Sequence, residues 1–111
     1  MAEYHRDRDY NHSIHEINVF LPMTQATDSN TIWVESEEGK EDFASMEAEY
    51  GQYYIWNGAS LLHGNKTNST GKTRISIDFR FMPISKYKEN DKVSVTNNTK
   101  MIIGDYYSVM Q

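Results

Sequence analysis

The chain alternates between apolar and polar residues with a period of two, which is the pattern of β-strands. The alternation is clearest over residues 72–82, where every second position is apolar or β-branched: Thr73, Ile75, Ile77, Phe79 and Phe81. Successive side chains of a strand point to opposite faces. The residues between them therefore share the other, polar face: Arg74, Ser76, Asp78 and Arg80.

Three shorter segments carry the same signal. Residues 16–22 alternate, residues 31–36 are short and β-branched, and residues 51–56 end at Asn57-Gly58, a dipeptide typical of tight turns. Residues 35–49 are charged, with Phe43 and Met46 at helical spacing, and predict a helical turn. The pattern predicts an all-β domain of about seven short strands. Its core would be residues 1–87, and residues 88–111 would be a tail that packs on the core or adds one more strand.

Length, charge and cysteine content narrow the classes of function. The 111 residues make one domain, near the lower size at which a chain can bury its own core. The net charge of −5 argues against nucleic acid as a partner, because phosphate binders usually carry a basic surplus. The sequence has neither an apolar run long enough to span a membrane nor a secretory signal, so we expect a cytoplasmic protein. The absence of cysteine excludes thiolate metal ligands.

Histidine and carboxylate residues suggest a metal site. His5 and Asp7 are two residues apart, so an extended backbone places both side chains on one side. His63 follows two leucines and precedes a glycine, where a strand gives way to a loop. Two histidines and one carboxylate form the facial triad of non-haem Fe(II) sites. The alternatives are an exposed, charged segment around His5, and rival ligands at His12 or His15.

Arg74 and Ser76 lie on the polar face of the clearest strand and suggest an anion site. A half-buried guanidinium needs an anionic partner, and its planar fork matches a carboxylate. The Ser76 hydroxyl can donate beside it. The alternative is an ordinary surface ion pair, in which Asp78 binds Arg74 or Arg80. By alternation, four further residues are candidates for a substrate pocket or for ordinary sheet packing: Asn18, Thr31, Trp33 and Trp56.

The order of these motifs resembles a known superfamily, the phytanoyl-CoA dioxygenase-like Fe(II)/2-oxoglutarate oxygenases. The matching segments are residues 5–7, 16–22, 30–36, 49–51, 62–64 and 74–76. The chain is most similar to the branch found in antibiotic and carbohydrate biosynthesis, which includes StrG-like proteins, and the similarity covers residues 4–87. The resemblance implies a double-stranded β-helix, which is a jelly roll or cupin-like barrel.

The resemblance also implies roles for individual residues. His5, Asp7 and His63 would hold Fe(II) as the metal ligands, while Arg74 and Ser76 would hold the distal carboxylate of the co-substrate 2-oxoglutarate. With O2 as the oxidant, the implied enzyme is a dioxygenase that hydroxylates a small polar metabolite, in carbohydrate or antibiotic-type biosynthesis. Two other functions stay open. One is a cupin-like metal-binding or sugar-modifying protein that does not use 2-oxoglutarate, and the other is a non-catalytic remnant of the fold.

One difference from the superfamily concerns the start of the chain. Relatives carry helices and a first core strand ahead of the His-x-Asp motif, whereas Met1 lies only four residues before His5. We therefore expect a β-helix truncated at its N-terminal side, which is either a C-terminal fragment of a longer oxygenase or a domain that self-associates. The apolar face with Ile77 and Phe79 would then be left uncovered, and such a face favours a homo-oligomer.

Overall fold

The chain is all-β, as predicted, in a computed structural model that describes residues 3–95 and 98–110. Its strands are β1 (Ile17–Pro22), β2 (Ile32–Val34), β3 (Ala44–Ser45), β4 (Tyr54–Trp56), β5 (His63–Asn65) and β6 (Ser76–Phe81). Short 3-10 helices cover Asp7–Tyr10, Asp28–Asn30 and Ile84–Lys86, and the described residues contain no α-helix. None of these helices is long and apolar enough to cross a membrane.

The strands form two antiparallel sheets of three strands each. The strand order is β4-β1-β6 in the first sheet and β3-β2-β5 in the second. These sheets do not close into a barrel within the described ranges. Four of the strands have only two or three residues, which is too short to supply the continuous staggered hydrogen bonding that closure requires. The cupin-like barrel of the resemblance is therefore present only as a small, open pair of sheets.

The helical turn predicted in residues 35–49 is wrong. Ala44–Ser45 forms β3 instead, paired antiparallel with Trp33 and Val34. The preceding loop cannot be a right-handed helix, because Gly39 has a φ of 87° and Glu41 a φ of 52°.

The register of the first sheet separates a polar face from an apolar face. Asn18 lies opposite both Trp56 and Arg80, while Val19 lies opposite Phe79. Residues directly opposite one another in an antiparallel pair share a face. The face with Asn18 carries the polar residues predicted from the alternation together with Phe20 and Trp56, and the other face is apolar.

The hydrophobic core lies between the two sheets. Phe20 of β1, Ile32 of β2, Ala26 and Met46 form a buried cluster, against which Trp56 is packed. Phe20 is fully buried. Because Phe20 and Ile32 come from different sheets, the core joins the two sheets face to face.

The apolar face of β6 is exposed. Its side chains are between 43% and 60% accessible to solvent: Ile75, Ile77, Phe79 and Phe81. Among the described residues, β6 is also an edge strand that pairs with β1 alone. Uncovered apolar faces and open edges favour association. The predicted homo-oligomer, or a covering region ahead of His5, stays a prediction.

The C-terminal tail packs on the rest of the chain. Met101 is fully buried, and the Tyr107 hydroxyl donates to the carboxylate of Glu16 over 2.8 Å. The Asn11 side chain donates to the carbonyl of Val93. The described part of the tail contains isolated bridges, such as Val93 with Lys100, and no further strand.

Candidate metal centre

The structure brings His5, Asp7 and His63 together. One possible ligand atom from each residue lies within 4.8 Å of the other two. Asp7 Oδ1 is 3.2 Å from His5 Nε2 and 3.3 Å from His63 Nε2. Asp7 and His63 are buried, and His5 is partly buried. The three atoms therefore point to one place at the edge of the core.

Backbone pairing holds the two histidines side by side. His5 N–H donates to the carbonyl of His63 over 2.9 Å, and His63 N–H donates back over 3.0 Å. His63 in turn pairs with Val34 of the second sheet. The Asp7 N–H donates to the carbonyl of Gly58. Residues far apart in sequence are thus fixed by main-chain hydrogen bonds, which set the spacing of the three side chains.

Each histidine ring is oriented by a hydrogen bond from its other nitrogen. His5 Nδ1 lies 3.0 Å from the carbonyl of Glu3, and His63 Nδ1 lies 2.8 Å from the carbonyl of Leu61. A carbonyl can only accept, so Nδ1 is the donor in both rings, and Nε2 is the nitrogen that faces Asp7 Oδ1. This is the arrangement in which metal-ligating histidines are usually held.

The two carboxylate oxygens of Asp7 have different partners. Oδ1 faces the histidines, whereas Oδ2 accepts hydrogen bonds from Asn18 Nδ2 over 2.9 Å and from Arg80 Nη2 over 3.0 Å. Burial opposes ionisation of this carboxyl, but the hydrogen bond with His63, the charge of Arg80 and the hydrogen bond from Asn18 outweigh it. Together they hold the pKa of Asp7 well below its usual range. Asp7 is therefore ionised, and Oδ1, which faces the two Nε2 atoms, is the oxygen that could bind a cation.

The polar contacts of Asp7 continue into the tail. Arg80 Nη1 donates to the hydroxyl of Tyr106 over 3.3 Å, and Arg80 Nε lies 3.9 Å from the carboxylate of Glu16. Burial, followed by the hydrogen bond to Glu16, raises the pKa of Tyr107 far above its usual value. Tyr107 is thus a neutral donor to that carboxylate. The tail completes a network that begins at the candidate metal ligand.

The rival ligands are placed elsewhere. His12 is buried, with its Nδ1 3.1 Å from both carboxylate oxygens of Glu16. His15 is exposed. Both line a separate hollow of about 670 Å³ between the 3-10 helix Asp7–Tyr10 and the tail. Neither joins the group formed by the three predicted ligands.

Arg74 faces the same small cavity as the three candidate ligands. The cavity has a volume of about 210 Å³. The guanidinium lies over the ring of Phe20, 5.1 Å from its centroid, and Nη1 is buried without a hydrogen-bond partner. Burial lowers the pKa of Arg74, although the charge of Asp78 opposes this. No ion pair joins these two residues, and Arg80 pairs with Asp7 instead. The surface ion pair considered from the sequence is thus not formed.

Ser76 and the four candidate substrate residues differ in whether they line this cavity. Asn18 and Trp56 line the cavity. Ser76 does not, and its hydroxyl donates to Asp78 over 3.2 Å. Two residues lie away from the cavity and make structural hydrogen bonds: Thr31 to the carbonyl of Met46, and Trp33 to the carbonyl of Asp28.

Two supporting residues could not be identified from the sequence. Arg80 was considered only as a partner of Asp78, yet it binds Asp7. The buried carboxylate of Glu35 accepts from Leu62 N–H and from the Arg6 guanidinium, and so ties together the segments that carry the ligands. The sequence feature that could have indicated Glu35 is its charge within the short β-branched segment 31–36.

Comparison with known proteins finds a relative that is named as a biosynthesis protein. The chain is 36% identical over 110 residues to the streptomycin biosynthesis protein StrG of Streptomyces griseus. The match covers 99% of this chain and 52% of the relative, so the chain spans about half the length of that protein. No protein-family profile and no solved structure matches the chain. Membership of the phytanoyl-CoA dioxygenase-like superfamily therefore stays a prediction.

Proposed function

We propose that the chain carries the cofactor site of an Fe(II)/2-oxoglutarate-dependent oxygenase that hydroxylates a small polar metabolite. The observation that carries the proposal is the convergence of His5, Asp7 and His63 beside the unpaired guanidinium of Arg74. A metal site alone would need only the three candidate ligands His5, Asp7 and His63. A half-buried cation whose buried Nη1 has no partner, in the same cavity, adds the means to bind an acid next to the metal.

The three candidate ligands suit Fe(II). Two neutral imidazole nitrogens and one carboxylate oxygen are the donor set of the facial triad, which leaves three coordination positions open. Ligand distances near 2.1 Å place neighbouring ligand atoms roughly 3 Å apart around an octahedral ion. The distances of 3.2 and 3.3 Å from Asp7 Oδ1 to the two Nε2 atoms are close to that spacing.

Arg74 is the proposed anchor for the distal carboxylate of 2-oxoglutarate. Its planar fork can donate two hydrogen bonds to one carboxylate, and the buried Nη1 has no competing partner in the described chain. Ser76 is the proposed second donor, which would require its hydroxyl to turn away from Asp78. When bound, Fe(II) with 2-oxoglutarate and O2 supplies the oxidising chemistry, and the chain binds, orients and shields these groups.

The proposed setting is antibiotic-type or carbohydrate-type biosynthesis. The relative of this chain is named as a streptomycin biosynthesis protein, and that name supports the proposed setting. The cavity beside the ligands, at about 210 Å³, is smaller than usual ligand pockets of about 300–1,000 Å³. It suits the co-substrate, so we expect the metabolite to bind at its mouth.

The test is anaerobic titration of the protein with Fe(II) and then 2-oxoglutarate. We expect the weak visible absorption band of an iron–2-oxoglutarate chelate. Arg74→Ala should lose the band and keep the metal, and Asp7→Ala or His63→Ala should lose both. His15→Ala is the matched control and should leave both unchanged, since that ring is exposed and lies outside the cavity.

The other outcomes identify the alternatives. Metal binding that 2-oxoglutarate does not alter would favour the cupin-like protein and contradict the oxygenase. Failure to bind any divalent metal would favour a non-catalytic remnant of the fold. Loss of iron in His12→Ala with retention in His5→Ala would contradict the assignment of the ligands.

A further inference from the structure

Two buried donors without acceptors lie in one cavity. In the described residues, the buried side-chain nitrogens that lack a hydrogen-bond partner are Arg74 Nη1 and Trp56 Nε1. Both residues line the cavity of about 210 Å³ that also contains the three candidate metal ligands. Buried polar groups in proteins almost always have a partner, and an indole N–H can only donate. The pair therefore points to acceptors that a ligand brings.

Packing fixes the Trp56 ring in this position. It meets the His63 ring edge to face, with centroids 4.7 Å apart and an interplanar angle of 89°. Its other contacts are with the buried cluster around Phe20. Turning the indole toward solvent would break both contacts, so the ring is held at the wall of the cavity, beside His63.

No acceptor of the described chain lies within hydrogen-bonding distance of this N–H. Asn18 donates to Asp7 and accepts from the Gly58 N–H. Asp7 uses Oδ2 for Asn18 and Arg80, and directs Oδ1 at the two histidines. Asp78, the remaining carboxylate of the cavity, accepts from Ser76.

We infer that Trp56 is a specificity-determining residue, whose indole N–H donates to a carboxylate or keto oxygen at the metal end of the bound acid. The inference rests on the proposed function. Trp56 lies opposite Asn18 on β1, and the Arg74 guanidinium lies over Phe20, two residues along the same strand. Two residues of a strand span about 7 Å. The strand positions beside which the two donors lie are thus about 7 Å apart, and this separation suits a short, extended acid with oxygens at both ends.

Trp56→Phe tests the inference because it keeps the ring contact with His63 and removes only the N–H. We expect affinity for Zn(II) or Fe(II) within about threefold of wild type. Affinity for 2-oxoglutarate should fall about tenfold or more, which is the loss of one hydrogen bond to a charged acceptor. Equal affinity for 2-oxoglutarate in both proteins would overturn the inference and leave the oxygenase proposal standing. A wild-type protein that binds metal but no 2-oxoglutarate would overturn both.

Indole N–H resonances give a second measurement that needs no variant. In the Zn(II)-loaded, nitrogen-15-labelled wild-type protein, 2-oxoglutarate should move the Trp56 signal downfield and slow its exchange with water. The Trp33 N–H already donates to the carbonyl of Asp28 over 2.9 Å and is the internal control. Binding of 2-oxoglutarate that leaves the Trp56 signal in place would overturn the inference even if Trp56→Phe failed to fold.

Discussion

Asn18→Ala should destabilise the protein because Asn18 links a buried carboxylate to a buried turn. Its Nδ2 donates to Asp7 Oδ2 over 2.9 Å, and its Oδ1 accepts from Gly58 N–H over 3.2 Å. Asn18 and Asp7 are 7% and 2% exposed. The first bond involves a charge and contributes about 1.5–3 kcal/mol, and an abandoned buried N–H costs about 1–3 kcal/mol.

We expect the loss of stability to lie near the lower end of the sum of these two contributions. Arg80 still donates twice to Asp7, so the carboxylate keeps other partners. The space left by truncation also adjoins the cavity, where a water molecule can replace one contact. We expect the free energy of unfolding to fall by about 3 kcal/mol.

Urea unfolding measures this loss. With a slope near 2 kcal/mol per molar, the midpoint should fall by about 1.5 M at constant slope. Asn65→Ala is the matched control, because Asn65 lines the same cavity and makes no side-chain hydrogen bond in the described ranges. If the midpoints of the two variants coincide within about 0.3 M, Asn18 does not stabilise the site and the reasoning is wrong.

Two further predictions concern the loop and the apolar face. Glu35→Gln should lower the melting temperature at pH 7, because an amide cannot accept from the N–H groups of Leu62 and Gly39 at both ends. Those bonds, the one from Leu62 above all, lower the pKa of the Glu35 carboxyl. The Glu35 carboxylate therefore contributes its full stabilisation above the usual carboxyl pKa. The difference in melting temperature between wild type and Glu35→Gln should shrink as pH falls through the lowered pKa of the folded state. Melting temperatures that stay equally separated between pH 7 and pH 3 would refute this. Ile77→Lys, on the exposed apolar face of β6, should convert a self-associating protein to a monomer in size-exclusion chromatography with light scattering. Val95→Lys, at an exposed position outside that face, is the control and should leave the association unchanged. A monomeric wild type at high concentration would contradict the prediction.

Much of the fold could be predicted because strand periodicity is local. The alternation over residues 72–82 assigned each side chain to a face before any pairing was known, and β6 keeps that assignment. The same local information was misleading in residues 35–49. There, Phe43 and Met46 have helical spacing, but Gly39 has a positive φ and Ala44–Ser45 pairs with β2. The contacts with β2 therefore decide the conformation of this segment.

The sequence by itself determined which residue types were available to a metal and an acid, and on which strand face most of them would lie. Only the tertiary structure decided which of them meet. His5 and His63 are adjacent because their backbones exchange hydrogen bonds across a long sequence separation. Arg80 binds Asp7, and Arg74 keeps a free donor, because the register of β6 on β1 puts Arg80 opposite Asn18. Alternation repeats every two residues and cannot distinguish two arginines on one face, whereas the pairing register is a long-range property that can.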